Sequence, residues 1–281
     1  MVVLAIETSS RQGSVALWQP GRAPVERTIA QGLRHGALLF VELRDAFAAA
    51  GLRPDDVDLI AVSQGPGSFT GIRIGLTAAR TAAYVLRKPL LGVPSLDVLA
   101  ENAPAEADSV ATLLDAKRGE VYACLYARGR KPMTNDGMTN DESMPNAECR
   151  IQAAEPGPAA TSREDSSDSS FVIRHSSFQR PPASGLVSVM PYQIIRPEAL
   201  ALPSPCYVIG DGIEQFRDVL SREGVTLAGE DAWRPRASAL AQLAALRYER
   251  GERQDLHSLA PIYLRRPEAE EVWERKHPHV T

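Results

Sequence analysis

Cysteine is scarce: only Cys124, Cys149 and Cys206 occur in 281 residues, and none sits in a CxxC or Cys/His spacing. Neither a zinc site nor a disulfide framework is expected, and the thiols read as reduced, cytosolic ones. Long apolar runs are missing as well. No stretch approaches the ~18 residues that a helical bilayer span requires. The opening MVVLAIETSS has no basic stretch and meets an acid at Glu7, so neither a signal nor a transit peptide is expected. A basic excess is also lacking, since the formal net charge is −4. A domain that grips nucleic acid by itself usually carries such an excess, so any RNA is expected to be reached through a partner. The patterns G-x-x-x-x-G-K-[ST], G-x-G-x-x-G and G-x-S-x-G do not occur. Their absence argues against a P-loop, a Rossmann site and a nucleophile elbow.

What is present describes a globular α/β chain. Hydrophobic residues make up 44% and charged residues 23%, enough for a substantial core, and the length suits two domains of ordinary size. Val2–Ile6, Ser14–Trp18 and Thr28–Ala30 read as an antiparallel meander whose first turn is the polar stretch Thr8–Gln12. His35–Ala50 has helical spacing, with Leu39, Leu43, Ala46, Phe47 and Ala50 on one stripe and Leu38, Val41 and Ala48 on a weaker second one. Leu59–Ser63, a glycine-rich loop from Gln64 to Gly71, a helix over 72–86 and a strand over 89–93 form a parallel α/β unit. A helix from Ser95 follows. Ala111–Asp115 and Glu120–Ala127 read as a hairpin that opens a second domain, with Leu186–Gln193 returning beside it. Tyr207–Ile209 and, as an edge strand, Leu259–Leu264 are further strands, and 237–250 is a helix. The expected division is 1–103 and 104–281, the second part interrupted at about 130–185. That stretch is dense in Asn, Asp, Ser, Pro and Gly, with little apolar periodicity, so it reads as a disordered insertion.

Three turns have the composition to cradle phosphate. The first holds Glu7, Thr8 and Ser9; the second holds Gly65, Gly67 and Ser68 and runs into a helix N-terminus; the third holds Gly210 and Gly212. Singly, each is a weak signal, and such a turn is more often just an ordinary tight turn. Glu7 and Asp115 each end a strand, and together they would suit a magnesium nucleotide in a cleft; local turn capping is the competing reading. Arg73, Arg80 and Arg87 recur every seven residues with Thr77 and Tyr84 beside them. That stripe is either a solvated face or a docking surface for an acidic partner.

At this point the residues resemble a known family. Ile6-Glu-Thr-Ser9 followed by Ser14-Val-Ala-Leu-Trp18, the block Gly65-Pro-Gly-Ser-Phe-Thr-Gly-Ile-Arg-Ile-Gly75, Leu114–Tyr122 and Ala260–Arg265 resemble, in order, the TsaB (YeaZ) proteins. The resemblance implies a fold of the actin/Hsp70-like ATPase superfamily, with two ribonuclease-H-like subdomains around a cleft. It implies a cytoplasmic, non-catalytic subunit that pairs with a TsaD-like transferase to place threonylcarbamoyl on adenosine 37 of tRNA, with a TsaE-like ATPase in the cycle. Contact with tRNA would be indirect, and a homodimer would form when the chain is alone. The pairing surface would lie on the first two helices and include Leu38, Val41, Arg73, Thr77, Arg80 and Tyr84. The catalytic paralogue carries a metal-binding HxxxH after the strand that matches 89–93; here Ser95 and Leu99 stand at those positions. No metal or catalytic residue is therefore expected, and no cofactor is required, with a magnesium nucleotide in the cleft left open. The competing function is an ATP-dependent phosphotransferase or carbamoyltransferase acting on its own. A peptidase reading has no nucleophile or metal motif behind it.

Overall fold

The computed structural model describes residues 1–29, 35–129, 185–265 and 273. Apart from Gly185, the insertion expected at 130–185 lies outside the described residues. The first sheet is built from β1 (Val3–Glu7), β2 (Gly13–Trp18), β3 (Val25–Ile29), β4 (Leu59–Ser63) and β5 (Leu90–Val93), in the order β3-β2-β1-β4-β5. The meander β1–β3 is antiparallel, while β4 and β5 run parallel to β1. Strand alternation sends Leu4 and Ile6 to one side and Val3 and Ala5 to the other. The first side packs against α1 (His35–Ala50) and α2 (Phe69–Leu86), and the second against α5 (Ala237–Glu249).

The second sheet repeats this pattern. Its strands are β6 (Ser109–Lys117), β7 (Glu120–Arg128), β8 (Leu186–Ser188), β9 (Gln193–Ile195), β10 (Cys206–Ile209) and β11 (Val225–Leu227), ordered β11-β10-β6-β7-β8 with β9 also on β7. Again the first strands are antiparallel and β10 runs parallel to β6. The helix α4 (Gly212–Leu220) follows β10 as α2 follows β4. Two copies of one topology, each with helices against its sheet, are the actin/Hsp70-like arrangement. The helices that leave each sheet are exchanged: α3 (Ser95–Ala100), which follows β5, packs on β6 and β7, whereas α5, which follows β11, packs on the first sheet. The chain thereby crosses between the two sheets twice.

Several elements differ from the sequence expectation for local reasons. Leu259–Leu264 is not a strand. Pro261 has no N–H to donate. At β5 a side chain takes the ladder's place, Gly92 N donating to Gln254 Oε1 at 2.6 Å, while Gln64, after β4, donates from Nε2 to Ala260 O at 2.9 Å. Leu186–Gln193 splits into β8 and β9 around Pro191, both paired to β7. The third strand lies at Val25–Ile29, earlier than expected. The α2 helix begins at Phe69 because Ser68 caps it, its hydroxyl accepting from Gly71 N at 3.2 Å. It ends before Arg87, which takes the left-handed cap at φ 54, so Arg87 is not part of the helical arginine stripe. No helix among the described residues is long and apolar enough to cross a membrane.

Candidate functional site

Between the two sheets lies a cavity of about 580 Å³. Ser9, Ser10 and Arg11 reach it from the β1–β2 turn, Gly67, Ser68 and Phe69 from the start of α2, and Asp115, Lys117 and Arg118 from the end of β6 and the turn after it. Asp211 and the segment Ile262–Arg265 complete its wall. Of the phosphate-turn residues, Ser9, Gly67, Ser68 and Asp115 are therefore brought together, while Glu7, Thr8, Gly65, Gly210 and Gly212 are not on the wall.

The glycines explain why. A Cβ on Gly67 would sit 2.2 Å from Ser9 O, one on Gly71 2.0 Å from Thr8 O, and one on Gly75 2.2 Å from Thr8 Oγ1. These residues let α2 lie directly on the β1–β2 turn. Ser68 N then donates to Ser9 O at 2.7 Å, and Thr8 Oγ1 to Gly71 O at 2.8 Å. The two turns thus satisfy each other, and polar groups suited to a phosphate are used in the packing. The third turn behaves alike: Gly210, at φ 129, would place a Cβ 1.9 Å from Leu113 O, so it is a seat for β6.

The carboxylates are also engaged. Glu7 has no exposed surface; its Oε1 accepts from Ser9 N at 2.6 Å and from Ser9 Oγ at 2.5 Å, while Oε2 has no partner. Asp115 accepts from Lys117 N at 2.7 Å, is paired with the Lys117 ammonium, and has Arg11 Nη2 at 3.7 Å. Asp211 accepts from Asp115 N at 2.9 Å, and burial, with Asp115 nearby, raises its pKa. Glu7 and Asp115 do not form an open acidic pair. The residues present therefore do not fit a magnesium-bound phosphate: one carboxylate is sealed and the other is neutralised by its own turn.

Burial raises the Glu7 pKa, against the lowering effect of its serine hydrogen bonds. A carboxyl with a raised folded pKa contributes stability below its unfolded pKa and loses it as pH rises through the folded value. Thermal midpoints should fall as pH climbs from about 4.3, the usual glutamate value, towards neutrality, and Glu7→Gln should flatten that fall. Melts across this range would measure it; an unchanged slope in Glu7→Gln would remove Glu7 as the cause.

A second surface lies on α1 and α2. Phe40 is 65% exposed, Tyr84 72% and Val85 68%, and Val41 and Phe69 are also open. A groove of about 480 Å³ runs between the helices, lined by Leu39, Phe40, Phe69, Arg73, Ile74 and Thr77, among others. Isolated exposed apolar residues are ordinary, but Phe40 and Phe69 share the groove, and a larger exposed apolar patch is a candidate interaction site. Val41, Arg73, Thr77 and Tyr84 are exposed, and Arg73 and Thr77 line the groove. Arg80 is half-buried, and its Nε is sealed without an acceptor. Leu38 departs from the expected strip: it is half-buried and packs against the core beneath the helix. Phe40, overlooked in the sequence, takes the outward place. At the groove's end, Arg73 lies 3.8 Å over the Phe69 ring and donates from Nε to Tyr263 OH at 2.9 Å. Phe69 lines both groove and cleft.

Ser95 and Leu99 are fully buried in α3. The Ser95 hydroxyl lies 2.7 Å from that of Ser63, and Leu99 belongs to the second core. Among the described residues, no group of three or more His, Cys, Asp or Glu is placed to hold a metal ion.

The family model described as "TsaD: tRNA N6-adenosine threonylcarbamoyltransferase" matches residues 31–273. Among curated relatives, the "tRNA threonylcarbamoyladenosine biosynthesis protein TsaB" of Bacillus subtilis (strain 168) is 34% identical over 126 residues, 45% of this chain and 55% of that protein. The protein of the same description from Escherichia coli (strain K12) is 34% identical over 130 residues, 46% and 56% of the two chains. The chain thus spans about half the length of the curated relatives it matches. A crystal structure from Pseudomonas aeruginosa, described as an uncharacterized protein with similarity to peptidase YEAZ, superposes with a TM-score of 0.68 at 25% identity, covering 94% of this chain and 99% of that one.

Proposed function

Since this chain belongs to the TsaD family and is similar to its TsaB (YeaZ) proteins, we propose that it is a non-catalytic subunit of the machinery that forms threonylcarbamoyladenosine in tRNA. Its task is to dock on a TsaD-type transferase and hold it in a competent state for modification of adenosine 37. It works in the cytoplasm and reaches tRNA through the complex, which a TsaE-type ATPase joins; when alone, it can pair with a second copy. The observation that carries this reading is the open apolar face of α1 and α2, built around Phe40 and its groove. The cleft supports it from the other side, because its carboxylates and turns are occupied by one another. No nucleotide of its own is needed for such a role.

The test is light scattering on this chain alone and mixed with the TsaD-type transferase of the same organism, followed by a tRNA modification assay. A stable complex, with transfer only in the mixture, is expected. Phe40→Asp should weaken association about 30-fold or more, the loss of a central hot spot worth on the order of 2 kcal/mol, while leaving the circular dichroism spectrum unchanged. Phe40 is chosen over Leu38 because a charge at Leu38 would enter the core. Modification by the isolated chain, or no association, would overturn the reading.

A further inference from the structure

The segment that follows α5 is tied to each half of the chain in turn. Its root lies on the first half. Gln254 Oε1 accepts from Gly92 N at 2.6 Å, Leu259 sits in the core beneath α1 and α2, and Ile262 N donates to Gln64 O at 2.8 Å. From there burial alternates along the chain. Ile262 and Leu264 enter the core of the second sheet, while Tyr263 and Arg265 line the cavity between the sheets. Tyr263 holds to the first half: its hydroxyl accepts from Arg73 Nε at 2.9 Å, and its ring lies 5.0 Å from that of Phe69. Arg265 holds to the second half, donating to Ala116 O and to the Glu120 carboxylate.

Ala116 is a particular kind of acceptor. The pairing of β6 with β7 slips between Asp115 and Lys117, so Ala116 is the extra residue of a bulge and is left out of the pairing. The turn beyond it is strained. Lys117 and Arg118 take φ 65 and φ 58, where Asn and Gly are the usual residues. Arg265 thus fastens the irregular end of this hairpin to a segment rooted on the first sheet. A second ion pair crosses the cavity, Arg11 with Asp115, but it spans 3.7 Å and its arginine side chain is 65% exposed, against 19% for Arg265.

We infer that residues 259–265 form a latch, rooted on the first sheet and closed by Arg265 on the β6–β7 bulge, which sets the separation of the two halves and so the width of the cavity. The exchanged helices also join the halves, through Val98 and the Asp97–Arg247 pair. A joint of that kind leaves rotation of one half against the other, and the latch limits it. Release begins at the polar end. The contacts of Tyr263 and Arg265 can be exchanged for contacts with water, whereas freeing Leu259, Ile262 and Leu264 exposes apolar surface.

Arg265→Met keeps an unbranched side chain and removes its donors. Spin labels at Ala23→Cys, before β3, and Asp218→Cys, in α4, both exposed positions, report the separation of the halves in the full chain carrying Cys149→Ser; Cys124 and Cys206 are buried. In Arg265→Met the label distances should broaden and lengthen. Hydrogen exchange at 116–120 and at the Ile262 N–H should quicken about tenfold or more, as expected for losing a charge-assisted hydrogen bond, while exchange in β1 stays as in wild type. Glu120→Gln, a milder change that leaves the bond to Ala116 O, should move both readouts the same way by less, so the test stands even if Arg265→Met does not fold. Faster exchange at the hairpin with unchanged label distances in both variants would make Arg265 a local contact and overturn the latch. Unchanged exchange would overturn it as well.

Discussion

Gly71→Ala should destabilise the protein by about 3 kcal/mol, the upper range for overpacking a tight contact, although helix propensity alone predicts the reverse. Gly71 lies in the first turn of α2, where exchange for alanine ordinarily gains up to about 1 kcal/mol. Here the added Cβ would fall 2.0 Å from Thr8 O. That atom belongs to the backbone at the end of β1, whose neighbours on both sides are ladder-bonded strands, so neither partner can move cheaply. The helix would have to lift from the turn, breaking the Ser68 N to Ser9 O and Thr8 Oγ1 to Gly71 O bonds. A midpoint drop of roughly 10 °C is expected for a domain of this size. Gly36 in α1 is the contrast: its Cβ would meet only Ile74 Cδ1, at 3.9 Å. There the same exchange should leave stability level or raise it slightly. Thermal melts of the two variants give the comparison, and a stable Gly71→Ala protein would show that the glycine block is not a packing device.

The parts of the fold legible in the sequence were those set by short-range chemistry. The strands of the first sheet other than β3 follow from apolar runs bounded by Gly, Pro and Ser, and α1 and α2 from their 3.6-residue spacing; β3, VERTI, alternates too weakly to be placed. The resemblance supplied the duplicated architecture. What could not be read depended on direction and distance. Glu7 does end β1 and Asp115 lies near the end of β6, but Ser9, two residues on, captures the first and Lys117 the second. Leu38 and Phe40, two residues apart, lie about 200° apart around α1, and because both are apolar the sequence alone does not decide which one faces water. The α4 helix opens with Gly212 and carries a non-helical residue at Phe216, which blurs its pattern. Asp97 did leave a trace: it is the lone acid in the otherwise apolar SLDVLA of α3. Its cationic partner is 150 residues away, beyond any local signal.

That acid is the site of the second large effect. Asp97 Oδ1 accepts from Tyr126 OH and from Tyr192 OH, each at 2.7 Å, and Oδ2 from Arg247 Nη2 at 2.6 Å. Both members of the ion pair are almost wholly buried, with side chains 9% and 8% exposed. The network joins α3 and β7 of the second sheet to α5 of the first, where the exchanged helices cross. Asp97→Ala would leave a guanidinium in the interior with no anion and two phenols without an acceptor. Removing one partner of a buried pair costs about 3–5 kcal/mol, so a midpoint fall of roughly 10 °C or more is expected. Arg247 Nη1 already lacks a partner, which leaves the cation still more exposed to the loss. Arg247→Met added to Asp97→Ala should restore part of the stability, because it removes the stranded charge; the two changes share one network and should not be additive. Additive losses would mean that packing around α3, not the ion pair, sets the cost. The docking face proposed above lies across the first sheet from this crossing, on the side of α1 and α2. At temperatures where Asp97→Ala is still folded, its association with the transferase should therefore match wild type, separating what holds the chain together from what it presents to a partner.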